Sequence, residues 1–226
     1  MNVMMNSPML ANVLVENFTK GGPIMWPILV VSIVALGVVL ERVIWYFREK
    51  NRRDPATLEK IFGALEAGDF EAAVRDSKDS QDPVIRMIYH GMNHHHSSLE
   101  GALQVAAGTE IQKAGRFLTA MDTIITLAPL LGLLGTVTGI MGSFKFIGDA
   151  DLAVNKVSGG IGEALIATAC GLGIAIFTLV PFNLFTAGVA RLQFELETAA
   201  TNVEVLVTAA KNRGYDTQLF RKGDGK

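Results

Sequence analysis

Cysteine is almost absent. Cys170 stands alone, so no disulfide framework can staple this chain. An excess of charge of one sign is missing too. The 20 Lys and Arg nearly balance 22 Asp and Glu, and no basic block forms the electrostatic footprint that a nucleic-acid partner requires. The first residues, from Met1 to Pro8, carry neither a positive start nor an apolar core, so a cleavable signal peptide is not expected there. The 4 histidines are confined to His90 and His94-His95-His96. Consecutive residues of a helix cannot all point at one ion, and no cysteine or second histidine cluster completes a set. A solvated helix end is expected there, with neither a metal nor a cofactor bound. Ser143 lacks a Gly-x-Ser-x-Gly setting and has no base placed to activate it, so no enzyme is expected.

What the chain does have is apolar length. Half of its 226 residues are hydrophobic, which predicts an all-α integral membrane protein with modest soluble parts. A helix of roughly 20 apolar residues crosses a hydrocarbon core of ~30 Å, and three such spans are present. The reading divides the chain into an N-terminal interfacial segment (1–22), a first span (23–47), a helical loop (48–123), a second span (124–146), a short loop (147–159), a third span (160–187) and a helical C-terminal tail (188–226). Trp26 and Trp45-Tyr46 mark the ends of the first span at headgroup level. Residues 8–19 have the spacing of a short amphipathic helix, and a disordered tail fits them nearly as well. Glu41-Arg42, one turn from the far end of the first span, reads as a neutralised pair reaching for the interface or as a contact between subunits.

Basic residues set the expected topology. Ten Lys or Arg lie in 48–120 and six in 188–226, whereas the remaining loops hold only Lys20, Lys145 and Lys156. The positive-inside rule then places the N-terminus outside, both long helical segments in the cytoplasm and the 147–159 loop outside. Within the first cytoplasmic segment Asp54-Pro55, Asp69 and Asp82-Pro83 are helix starts and Gly68 a helix stop. Leu58, Ile61, Phe62 and Leu65 form an apolar stripe. Ser97 with Glu100 has the capping-box spacing, opening a helix expected to run unbroken into the second span. Leu192, Leu196, Ala199, Val203 and Leu206 extend the third span inward, and residues 211–226 read as a frayed polar tail.

Polar residues within the spans are few, among them Thr136 and Thr138 in the second and Glu163, Thr168 and Thr178 in the third. Helical rise puts Thr136 about 18 Å from one face and Thr168 about 12 Å from the other. In a core of ~30 Å those depths coincide. Thr138 and Thr178 are expected to bond their own helix one turn back. For Thr136 and Thr168 a shared polar level is the alternative to that fate. A carboxyl within the membrane boundary usually faces a bundle interior or cavity, which makes Glu163 a candidate functional group, with a headgroup-level residue as the plainer reading. Pro129, Gly132, Gly135, Gly139 and Gly162 complete the pattern, small residues letting helices approach closely. No histidine and no second mid-depth carboxylate occur in these spans. If protons cross here, a buried acid with a shifted pKa has to come from another polypeptide.

The stretch from Ala128 to Met141, Ala-Pro-Leu-Leu-Gly-Leu-Leu-Gly-Thr-Val-Thr-Gly-Ile-Met, followed by Gly160-Ile161-Gly162-Glu163-Ala164-Leu165-Ile166-Ala167-Thr168-Ala169, resembles the MotA/TolQ/ExbB proton channel family and is most similar to its ExbB members. Gly22-Pro23-Ile24-Met25-Trp26-Pro27 and Glu41-Arg42 add to the likeness, which spans about residues 20 to 205. The resemblance implies a homopentamer in the inner membrane of a Gram-negative bacterium. Its pore would enclose the single-span helices of an ExbD- or TolR-like partner whose aspartate carries protons. It implies that Thr136 and Thr168 line the pore facing that aspartate, that Glu163, the motif glutamate, stands with them on the proton path, and that the work reaches a TonB-like protein or the Tol–Pal system. Membrane lipids, and no nucleic acid, complete the implied surroundings. A membrane scaffold without an ion path remains the alternative.

Overall fold

The computed structural model describes residues 18, 21–93, 98–144 and 153–214, with side chains in the last stretch from 157 onward. The expected interfacial helix at 8–19 (Phe18 excepted), the His94–His96 run, the short loop around Lys145, Asp149 and Asp151, and the tail from 215 lie outside the described residues. Among those described there are seven helices and no strand: α1 Met25–Lys50, α2 Pro55–Glu66, α3 Phe70–Ser77, α4 Pro83–Asn93, α5 Leu99–Ala114, α6 Leu118–Phe144 and α7 Ala153–Asn212. The architecture is all-α. Parts of α1, α6 and α7 are long and apolar enough to cross a membrane.

The chain forms two compact units, one from residues 1–42 and 117–183 and the other from 43–116 and 184–226. The first holds the apolar helices. Met25, Ile28 and Ala167 form its buried cluster, with Phe18, Ile24, Leu131, Cys170 and Ile174 packed around them. Val30, Ile33, Leu130, Leu133, Leu165 and Ile176 instead point outward. That outward apolar surface is what a chain in lipid needs, since hydrocarbon rather than water surrounds it.

The second unit has an ordinary aqueous core. Ile61 and Leu65 of α2, Phe70 and Ala73 of α3, Ile85, Met87 and Ile88 of α4 and Leu103 of α5 pack with Leu192, Leu196, Ala199 and Val203 of α7. Helix α4 lies so close to α5 that a Cβ at Gly91 would fall 2.4 Å from the Leu103 side chain. The start signals act as read. Asp54 caps α2 by accepting from the Thr57 N–H at 3.0 Å and its hydroxyl at 2.6 Å, and Asp69 caps α3 through the Ala72 N–H at 2.9 Å. Gly68 ends α2 with a left-handed φ of 77°. Asp82 is buried and accepts from the N–H groups of Val84 and Asp54, both at 2.8 Å, which ties the start of α4 to the start of α2. Glu110, 3% exposed, is kept charged company by Arg86 and Lys113.

Two expectations are corrected. The cap of α5 is Ser98, whose hydroxyl accepts from the Gly101 N–H at 3.2 Å, one residue beyond the Ser97 of the sequence pattern. More consequentially, α5 does not run into α6. It stops at Ala114 with Gly115 as its cap, and Phe117 adopts a left-handed φ of 66° before α6 begins at Leu118. That conformation costs a non-glycine residue about 1–2 kcal/mol. The Arg42 guanidinium, 6.0 Å from the Phe117 ring centroid and itself 2% exposed, helps hold it. The helix that continues without a break is α7, through Pro181.

Candidate polar site between the apolar helices

The site is built on a seam of small residues where α6 and α7 run antiparallel. On α6 the seam is Ala128, Gly132, Gly135 and Gly139, spaced three or four apart so that all lie on one face. On α7 it is Gly160, Ala164, Ala167 and Gly171. A Cβ at Gly132 would come 2.9 Å from the Thr168 α-carbon, one at Gly135 2.6 Å from the Ala167 methyl, and one at Gly139 3.0 Å from the Gly160 carbonyl. At Gly171 it would meet the Ala128 carbonyl at 2.4 Å. Backbone therefore touches backbone along the seam. Such close approach drives association where lipid is as apolar as leucine.

At this contact the four threonines divide. Thr138 donates to Leu134 O at 3.0 Å, Thr178 to Ile174 O at 2.9 Å and Thr136 to Leu133 O at 2.6 Å, each within its own helix. Thr168 alone reaches across, donating to the Gly132 carbonyl of α6 at 2.8 Å. Helical geometry gives that same carbonyl to the Thr136 amide, so the structure gathers Thr136 and Thr168 around Gly132 without bonding one hydroxyl to the other. Thr178 is wholly buried, whereas Thr136 and Thr168 keep part of their surface accessible. Since a carbonyl only accepts, both hydroxyl protons are committed, and each oxygen turns lone pairs to its surroundings.

Glu163 is not part of that cluster. Five residues before Thr168 on α7, it points about 140° away around the helix. Its carboxyl rests against Gly22, filling the space a side chain at Gly22 would need. No hydrogen bond among the described residues joins it to either threonine. Gly162 lies off the seam: a Cβ there would meet nothing within 4 Å. Pro129 sits inside α6, half-buried, one residue after the seam's Ala128. Arg42 is buried and donates from Nε to Glu41 at 2.8 Å, while Glu41 is largely exposed. Among the described residues no cluster of ligating side chains could hold a metal ion.

Sequence reasoning passed over Gly22, Gly160 and Ala167 as parts of the site. The signal was present for the last two, because small residues recur at helical spacing along both spans. Their pairing needs the register of two distant segments, which no single segment displays.

Comparison with known proteins gives a consistent result. Residues 79–198 match the model of the MotA/TolQ/ExbB proton channel family. A protein of Synechocystis sp. named for biopolymer transport, ExbB-like 1, is 34% identical over 182 residues, which is 77% of this chain and 71% of that relative. Similarity to the biopolymer transport protein ExbB of Xanthomonas campestris reaches 42% over 89 residues, 39% of this chain and 35% of the relative. The Tol-Pal system protein TolQ of Pseudomonas aeruginosa is 41% identical over 87 residues, 38% of each chain.

Proposed function

The chain belongs to the MotA/TolQ/ExbB proton channel family, and from that premise we propose that it is the proton-conducting stator subunit of an ExbB-type inner-membrane motor. It works as a ring, probed by the single-span helices of an ExbD- or TolR-like partner, and passes the energy of proton flow to a TonB-like protein. It performs no enzymatic step. The N-terminus and the 147–159 loop face outward, and the unit containing α2 to α5 lies in the cytoplasm.

The observation that carries this reading is the Thr168 bond to Gly132 across the glycine seam, with Thr136 one turn away. Two partly accessible hydroxyls whose protons are engaged offer acceptors. A protonated carboxyl on a partner helix is the group that suits them. An ionised carboxyl would need a donor, and Thr168 supplies one only by releasing Gly132. The level at these threonines thus favours the neutral acid, which also avoids the cost of a bare charge at mid-membrane. Each charge crossing the membrane yields about 2.3 kcal/mol per 100 mV, so a few protons suffice to turn a ring against its partner.

ExbB and TolQ relatives match at nearly equal identity over nearly equal lengths, which makes service in a Tol–Pal system the second reading. Native mass spectrometry of the complex, extracted gently through this chain from its host membrane, tests both. Several copies of the chain with a small single-span protein bearing a membrane Asp or Glu support the stator reading, and the partner's identity chooses between the systems. A ring that retains no such partner even after crosslinking contradicts it.

A further inference from the structure

Glu163, the carboxyl of the third apolar span, rests on a surface shaped to receive it. Gly22 has a left-handed φ of 71°. It lies in a turn that closes through Gly21 N–H to Phe18 O at 3.4 Å and Met25 N–H to Gly22 O at 3.1 Å, and from which α1 begins. The turn is anchored on three sides. Phe18 and Trp26 stack edge to face with centroids 5.3 Å apart. Ile24 packs over Gly135 of the seam, where an added Cβ would come 2.9 Å from its Cγ2. Met25 is buried against Ala167 and its neighbours. Glu163 Oε1, Cδ and Cγ all crowd the position that a side chain at Gly22 would take. Glycine at 22 is therefore required twice, by backbone conformation and by the carboxyl it faces, and the second requirement has no bearing on the turn itself.

We propose that Gly22 is the positioning residue for the Glu163 carboxyl. Its bare α-carbon is the floor that fixes where the carboxyl stands at the end of the seam, and any side chain there displaces it. The functional meaning rests on the reading of Glu163 as part of the proton path. The contact itself does not.

Two readouts on the full chain, purified with its partner, test this. In thermal unfolding Gly22→Ala lowers the midpoint in the native background and lowers it much less in a Glu163→Ala background, where the obstructing carboxyl is gone. In proteoliposomes Gly22→Ala loses most of the partner-dependent proton flux, and Gly22→Ala with Glu163→Asp regains a measurable share, since the shorter side chain clears the new methyl. If Gly22→Ala fails to assemble, assembly of Gly22→Ala with Glu163→Ala is the supporting result. An equal fall of midpoint in both backgrounds, or failure of both to assemble, overturns the proposal. Coupled midpoints with flux unchanged in every variant keep the positioning contact and remove Glu163 from the proton path.

Discussion

The hydroxyl of Thr168 and the carbonyl of Gly132 meet at 2.8 Å across two antiparallel apolar helices. The bond exists because residue 132 has no side chain: a Cβ there would press on the Thr168 α-carbon at 2.9 Å. Close backbone approach and polar contact are one feature. The glycine that lets the helices touch also exposes the acceptor that the threonine uses.

Removing the hydroxyl separates packing from bonding. Thr168→Val keeps the branched shape and forfeits the bond, which in a membrane interior is worth about 0.6–1.5 kcal/mol. Thr168→Ser keeps the donor. The valine variant unfolds at a lower temperature than the wild type in detergent, and the serine variant stays near the wild type.

Glycines on the seam and off it differ sharply. Gly132→Ala and Gly171→Ala each force backbone apart, and overpacking of this kind costs about 1–3 kcal/mol. Gly162→Ala and Gly173→Ala meet open space and gain a little helix propensity. Oligomer stability on size-exclusion chromatography should fall for the first pair and hold for the second.

At the end of α1 the two members of one ion pair are unequal. Glu41 is 43% exposed and Arg42 is 2% exposed. Glu41→Gln therefore changes the unfolding midpoint little, as for exposed pairs worth about 0–1 kcal/mol. Arg42→Met removes both the Glu41 bond and the guanidinium over Phe117, and the strained Phe117 backbone loses its clamp. The midpoint falls clearly, and proteolysis around residues 115–118 quickens.

Acid acts on the cap of α2. The Thr57 hydroxyl, and then its N–H, hold the Asp54 carboxyl below its ordinary value of 3.8. A lowered carboxyl stabilises the fold fully above that ordinary value and ceases to do so as pH falls through the lower folded value. Thr57→Val removes the larger cause. Wild type should be the more stable protein at neutral pH, and the difference between their midpoints should shrink as pH drops below 3.8.

The class of the chain is plain from its sequence. Three apolar runs, aromatic borders and Asp-Pro starts are local signals, and α1, α2, α4, α6 and the caps at Asp54 and Asp69 follow from them. The break at Gly115–Phe117 was illegible because no residue there excludes a helix. At the stop a phenylalanine adopts a left-handed conformation with the Arg42 guanidinium 6.0 Å from its ring, a contact between residues 75 positions apart. The same holds at the site. Thr136 and Thr168 could be matched in depth from helical rise, but which carbonyl each uses depends on the α6–α7 register. The place of Glu163 over Gly22 depends on a turn that sequence reading noted only as a flank.

The most direct test of the account is proton flux in liposomes carrying the purified complex of this chain with its single-span partner, compared for wild type, Thr168→Ser and Thr168→Val. The account predicts flux that requires the partner, persists in the serine variant and is lost in the valine variant while the ring still assembles. Undiminished partner-dependent flux through the valine ring would contradict it.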